Sequence, residues 1–332
     1  MRAGSRGLSI FTYALNARIL RAHADRELRS SDLEEIIGWA PQTSLRAAVS
    51  NLCDLNVLVK QESDGTSKFV STELTAAGHD LLLVADRLER WLMGAPFGAI
   101  ALDSAAAAGA VRALIAGWDA KVIRVLAERP LTLTELSAEI EEVSYPAIER
   151  RLARLRSTNL IRPIESKGKG KPYAVTDWLR HSIGPLSAAG RWERRHMPNE
   201  AAPISGMEVE AAFLLSVPLV EFSLDSTGTC ALAVLTSPGV DDGEEREVAG
   251  ITLGVKEGKV VSCVSAAASQ PTTWALGTSD DWLDAVIDGR FDALRVRGAN
   301  PDLAHHIVRD FHEVLFPPLR RADLRGHYPR SS

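Results

Sequence analysis

Residues 16–58 read NARILRAHADRELRSSDLEEIIGWAPQTSLRAAVSNLCDLNVL, and residues 119–161 read DAKVIRVLAERPLTLTELSAEIEEVSYPAIERRLARLRSTNLI. The two stretches lie on one another without a gap at a shift of 103 residues. Identities are few, among them Arg21/Arg124, Leu33/Leu136, Leu52/Leu155 and Asn56/Asn159. The apolar rhythm carries more weight, because Leu20/Ile123, Leu45/Ile148, Val49/Leu152 and Leu58/Ile161 keep apolar residues at matching positions. Two copies of one small helical unit are therefore expected.

Within copy one, Ser30 or Ser31 is expected to cap a helix over residues 32–38, with Glu34 completing a capping box. Pro41 suits the first turn of the next helix, whose buried stripe is Leu45, Val49 and Leu52. Residues 57–59 read as a strand, 63–67 as a hairpin tip and 75–92 as a long helix. Copy two repeats the plan, with Thr134 at the position of Ser31 and Pro146 near the turn before its third helix. Past that helix the shift drops to 101, so that Thr75 meets Thr176 and Trp91 meets Trp192. Two residues lost between them belong at a solvent-exposed hairpin tip. Three helices followed by a hairpin describe a winged helix–turn–helix. Residues 103–118 supply a leading helix for copy two.

Beyond Pro198 the pattern changes, and Pro203 and Gly206 mark a linker. Strands are expected over 219–224, 229–235, 248–255 and 259–266, the last two joined by a tight Glu257-Gly258 turn. Helices follow at about 279–287, ending at Gly289, and at 301–315, with a short strand at 294–296 between them. The expected fold class is thus multidomain: winged-helix copies at 1–95 and 96–200, an α+β domain at 204–320 and a tail at 321–332.

Composition sets outer limits. A chain of 332 residues with 45% hydrophobic and 24% charged residues is ordinary for globular proteins and long enough for several cores. No apolar run approaches a membrane span, and the first twenty residues make a poor signal peptide because Asn16 and Arg18 interrupt them. Three cysteines, Cys53, Cys230 and Cys263, have no metal-ligand spacing and suit a reduced cytoplasm. Residues 1–198 hold 27 Lys+Arg against 23 Asp+Glu, whereas residues 199–332 hold 11 against 20. A mildly basic front and an acidic back fit a nucleic-acid module joined to something else.

Both copies resemble the winged helix–turn–helix of HxlR-type bacterial transcriptional regulators. Leu74-Thr75-Ala76-Ala77-Gly78 is similar to that family's LTxxG signature, while copy two reads Val175-Thr176-Asp177-Trp178-Leu179 and lacks the glycine. Residues 144–161 and 172–196 are similar to actinobacterial regulators with two such modules. Residues 204–318 resemble a sterol-carrier-protein-2-like domain through Trp274-Ala275-Leu276-Gly277, Trp282 and residues 285–289. The resemblance implies a curved sheet and helices around an apolar cavity, with Phe213, Phe222, Trp274, Trp282 and Phe291 either lining it or filling a core.

Recognition of double-stranded DNA needs a helix whose exposed face enters the major groove, with cations beside the phosphates. In copy two that face is expected to hold Tyr145, Arg150, Arg151 and Arg154, with Lys167, Lys169 and Lys171 on the wing. In copy one it holds Gln42, Thr43, Ser44, Arg46, Ser50 and Asn51, with Lys68 near the wing. Ala47 and Ala48 stand where copy two has Arg150 and Arg151, so the two contact surfaces differ. Single-module relatives of this family act as dimers, so one chain holding both modules is expected to form a pseudo-dimer or, alternatively, a homodimer. No catalytic motif, cofactor or metal site is expected: 168–171 lacks P-loop spacing, and His306 with Asp310 reads as a polar helix face. A lipid-type carrier whose helical modules bind proteins is the alternative function.

Overall fold

The structure is a computed structural model and describes residues 3–61, 71–166, 170–235, 248–265 and 271–317. It is a mixed α/β chain that parts into two compact units, Met1–Leu215 and Ser216–Ser332. Both sequence copies fall in the first unit, which also takes in the residues up to 215 that the sequence reading had assigned to the third domain.

In copy one, a short helix α1 (Ser5–Ser9) precedes α2 (Ala14–Ala22), strand β1 (Leu28–Arg29), α3 (Ser30–Ile37) and α4 (Gln42–Asp54). A hairpin of β2 (Leu58–Gln61) and β3 (Ser71–Leu74) leads into α5 (Ala76–Met93). In copy two, α6 (Ala105–Gly117), α7 (Ala120–Glu128), α8 (Leu133–Glu139) and α9 (Tyr145–Ser157) precede β4 (Ile161–Pro163) and β5 (Tyr173–Val175). Two helices, α10 (Asp177–His181) and α11 (Ile183–His196), then replace the single α5.

The third helices, α4 and α9, begin and end at the same shift of 103. Each is followed by an asparagine with a left-handed backbone, Asn56 and Asn159, both at φ 55°. Asparagine tolerates that conformation at a helix end better than other residues with a Cβ. The next helix is anchored alike in both copies. Thr75 Oγ1 caps α5 by accepting from Gly78 N–H and donates to the carbonyl of Asn56; Thr176 Oγ1 accepts from Leu179 N–H and donates to that of Asn159. Copy one packs this joint more tightly: a Cβ at Gly78 would stand 2.3 Å from the carbonyl oxygen of Val57.

The caps of α3 and α8 differ from expectation. Helix α3 starts at Ser30, and it is Asp32, not Glu34, whose carboxylate takes the Arg29 N–H at 3.1 Å. In copy two the cap is Thr132 rather than Thr134, in a reciprocal box with Glu135. Both caps lie earlier than expected because the preceding residue, Leu28 or Leu131, pairs with the hairpin and fixes where the chain turns.

The leading and trailing helices of the two copies interlock. Glu193 of α11 is buried and accepts from the N–H groups of Gly4, Arg6 and Gly7 at 2.9, 2.6 and 2.9 Å. Burial pushes its carboxyl up, and the three N–H donors oppose that shift. Glu193→Ala would orphan all three donors at once. It is expected to cost about 2–4 kcal/mol, read as a lower denaturation midpoint with unchanged slope.

His23 is buried at the end of α2, with Nδ1 against the carbonyl of Ile19 and Nε2 against Thr72 Oγ1. Burial depresses its pKa below the usual imidazole range. The unfolded chain then binds the proton more readily, so this stability is present above pH ~6.5 and is lost as pH falls toward the depressed value. The melting temperature should drop on acidification from pH 7 to 5, and His23→Gln should flatten that drop. An unchanged slope in the variant would refute the assignment.

A helix not expected from the sequence, α12 (Gly206–Ser216), begins where Ser205 and Glu208 cap each other. The second unit holds a five-stranded sheet in the order β10–β9–β6–β7–β8. Its strands are β6 (Gly228–Leu235), β7 (Val248–Lys256), β8 (Lys259–Ser265), β9 (Thr273–Gly277) and β10 (Arg295–Gly298). All pairs are antiparallel except β6 with β9. The turn between β7 and β8 has Glu257 and Gly258 at φ 50° and 75°, as a two-residue hairpin requires. Helices α13 (Ser279–Asp288) and α14 (Pro301–Leu315) pack together beside β6, β9 and β10. The strand expected at 219–224 is absent: a 3₁₀ turn, Val217–Leu219, and irregular chain stand there. Strand β9 was not expected from the sequence.

Candidate nucleic-acid interface

The two copies meet through their last helices, and the contact is two-fold in character. Trp91 of α5 and Trp178 of α10 stack with centroids 4.6 Å apart and planes 5° from parallel. Trp91 Nε1 donates to the carbonyl of Trp178 at 2.8 Å, and Trp192 Nε1 donates to the carbonyl of Ala77 at 2.8 Å. At the shift of 101, Trp91 corresponds to Trp192 and Ala77 to Trp178, so these are one bond written twice with the copies exchanged. Exchange of i–j for j–i is the mark of an isologous interface. Copy two then adds a bond of its own, from Trp178 Nε1 to the carbonyl of Trp91 at 3.1 Å. The pairing of Trp91 with Trp192 is legible in the sequence; the use of Trp178 is not, because copy one has alanine there.

With the trailing helices joined, α4 and α9 keep one face on their own cores. Leu45 and Leu52 are buried on α4, and Ile148, Leu152 and Leu155 on α9. Gln42, Thr43, Ser44, Arg46, Ser50 and Asn51 are all exposed on α4. Gln42 is tied to Glu34 of α3 by a 2.6 Å bond from Nε2 to Oε1. The exposed face of α4 is thus uncharged apart from Arg46 and Asp54, and rich in amide and hydroxyl groups.

Helix α9 carries four arginines against one glutamate, and they are not equivalent. Tyr145, Arg150, Arg154 and Arg156 are exposed. Arg151 turns inward: it is half-buried and pairs at 2.9 Å with Asp119, the N-cap of α7. Arg154 spends one nitrogen on the carbonyl of Ala116, at 3.0 Å, where α6 ends. Of the outward set expected from periodicity, Arg151 is corrected, being half-buried against its own module; Arg150 and Arg154 are exposed, Arg154 while also bracing the end of α6. Arg156 was missed by treating the inward stripe as the whole criterion. On the hairpin, Arg162 of β4 and Lys171 are exposed. Lys68, Lys167 and Lys169 lie outside the described residues, as do the copy-one hairpin tip at 63–67 and the tail at 321–332.

Chemically, copy two presents guanidinium groups and a lysine, which bind phosphate oxygens and guanine edges; copy one presents amides and hydroxyls, which pair with base edges but neutralise little charge.

The five aromatic residues expected at a ligand cavity are divided between the two units. Phe213 falls in the first unit. In the second unit, Phe222 packs edge-on against Phe311 at 5.9 Å and Phe291 edge-on against His312 at 5.9 Å. Trp282 is buried and donates to the carbonyl of Ala233 at 2.8 Å. Trp274 is half-buried on β9, in register with Ala231 and Arg297. The described helices include none long and apolar enough to cross a membrane, and no described cluster of His, Cys, Asp and Glu is placed to hold a metal. No family model and no curated protein matches this chain.

Proposed function

We propose that the chain is a double-stranded DNA-binding transcriptional regulator in which one polypeptide supplies both winged-helix modules of a pseudo-dimer. The observation that carries this reading is the exchanged tryptophan bond, which joins the copies as two subunits of a dimer are joined. It is supported by two third helices at equivalent positions with exposed polar faces, and by the resemblance of both copies to HxlR-type modules. The two half-sites are unequal: copy two grips the phosphates through Arg150, Arg154, Arg162 and Lys171, and copy one reads bases with little charge. The operator is an imperfect palindrome with half-site centres about one helical turn apart. The acidic second unit is the effector domain, and a small apolar ligand there alters DNA affinity only by favouring one arrangement of the modules.

Selection of bound sequences from a random DNA pool, followed by titration at several salt concentrations, tests the proposal. A phosphate-gripping protein loses affinity steeply, with log K falling by roughly 0.9 per phosphate contact for each unit of log salt. Salt-independent or absent DNA binding would leave the carrier reading in its place.

A further inference from the structure

Helix α12 is fastened along copy two at three points. Met207 borders a recess of about 370 Å³ that is otherwise walled by α7, the end of α8 and residues 139–142. Glu210 pairs with Arg124 of α7 at 3.3 Å. Arg180 of α10 donates to the carbonyls of Leu214 and Leu215 at 3.2 and 3.3 Å.

Among the described residues, none forms such a helix on the same track of copy one. Arg21, the mate of Arg124, is served from within its own copy by Asp86 and Glu89 of α5. Those acids correspond to Ser187 and Gly190 in copy two, which explains why Glu210 is needed there. At the recess, Glu139 and Glu142 correspond to Ile36 and Trp39, which are 45% and 58% exposed. One turn beyond His79, the mate of Arg180, stands Leu83, 52% exposed, where copy two has buried Gly184. Scattered exposed apolar side chains need no explanation. Three of them set along the two-fold mate of a helix-bearing track are a different matter.

We propose that this face of copy one, from Ile36 and Trp39 past Arg21 to Leu83, is a docking groove for an amphipathic helix of a partner protein. The occupant is ~3 turns long, as α12 is. It brings apolar side chains to Ile36, Trp39 and Leu83, and no acid at its middle, because Arg21 is already paired. A second copy of this chain cannot supply it from α12, which is committed to its own copy two. The inference stands whether or not the modules bind DNA.

The test uses the full-length protein and a fluorescein-labelled peptide with the sequence of residues 204–217 carrying Glu210→Ala. Fluorescence anisotropy should show saturable binding to the wild type. Trp39→Glu, and separately Ile36→Glu, should weaken it by about ten-fold or more, with melting temperatures unchanged. Both substitutions are at exposed positions, and Ile36→Glu installs the residue type copy two already has. The proposal is overturned by no saturable binding to the wild type, or by equal binding to both variants. It is also overturned if sedimentation shows a wild-type dimer that Trp39→Glu dissociates, which would give the groove to a second copy.

Discussion

Replacing Trp91 by alanine is expected to destabilise the first unit by about 3–5 kcal/mol, the range found when a large buried aromatic is truncated. For a cooperative unit of this size the melting temperature falls on the order of 10 °C. The ring is 2% exposed, stacks on Trp178 and donates to its carbonyl, so truncation removes buried area, a stacked neighbour and a hydrogen bond together. Trp178→Ala removes the same stack from the other side. The double variant should therefore cost measurably less than the sum of the two singles, since partners in direct contact are not additive. Trp39→Ala is the control: 58% exposed, it is expected to change stability by less than about 0.5 kcal/mol. Additive losses at Trp91 and Trp178 would mean that the copies are not held by their stack.

The second large effect is expected on DNA affinity. Joint replacement of Arg150, Arg162 and Lys171 by alanine should weaken binding by about 10²–10³-fold at low salt and reduce the salt slope by roughly 3, one unit per lost phosphate contact. Arg151→Ala sharpens the test. Its guanidinium is committed to Asp119 and lies half-buried, so its loss should leave the salt slope unchanged and lower stability only modestly. Equal slope losses for Arg150→Ala and Arg151→Ala would show that the distinction drawn from that ion pair is wrong.

Much of the first unit was legible because a repeated pattern is read twice. The shift of 103 set α4 and α9 at equivalent positions, and the drop to 101 located the change in the hairpin. Periodicity carried the inward stripes, since Leu45, Leu52, Ile148 and Leu155 are apolar at helical spacing whatever surrounds them. Other features depend on tertiary partners. Whether an outward arginine is available for a ligand depends on what ends nearby, and nothing local to Arg151 announces that Asp119 is in reach. Helix α12 was hidden because its apolar residues are spread all round and show no stripe, so Pro203 and Gly206 dominated the reading. Its role is visible only by comparing Arg124 with Arg21 and asking which carboxylate serves each.

One chain is proposed to hold both halves of a DNA-reading pair. Footprinting on a selected binding site, at protein concentrations where sedimentation gives a monomer, tests it most directly. The account predicts one chain per site and protection of two half-sites about one helical turn apart, the half-site under copy two holding at higher salt. Protection of a single half-site by the monomer, or two chains bound per site, would contradict it.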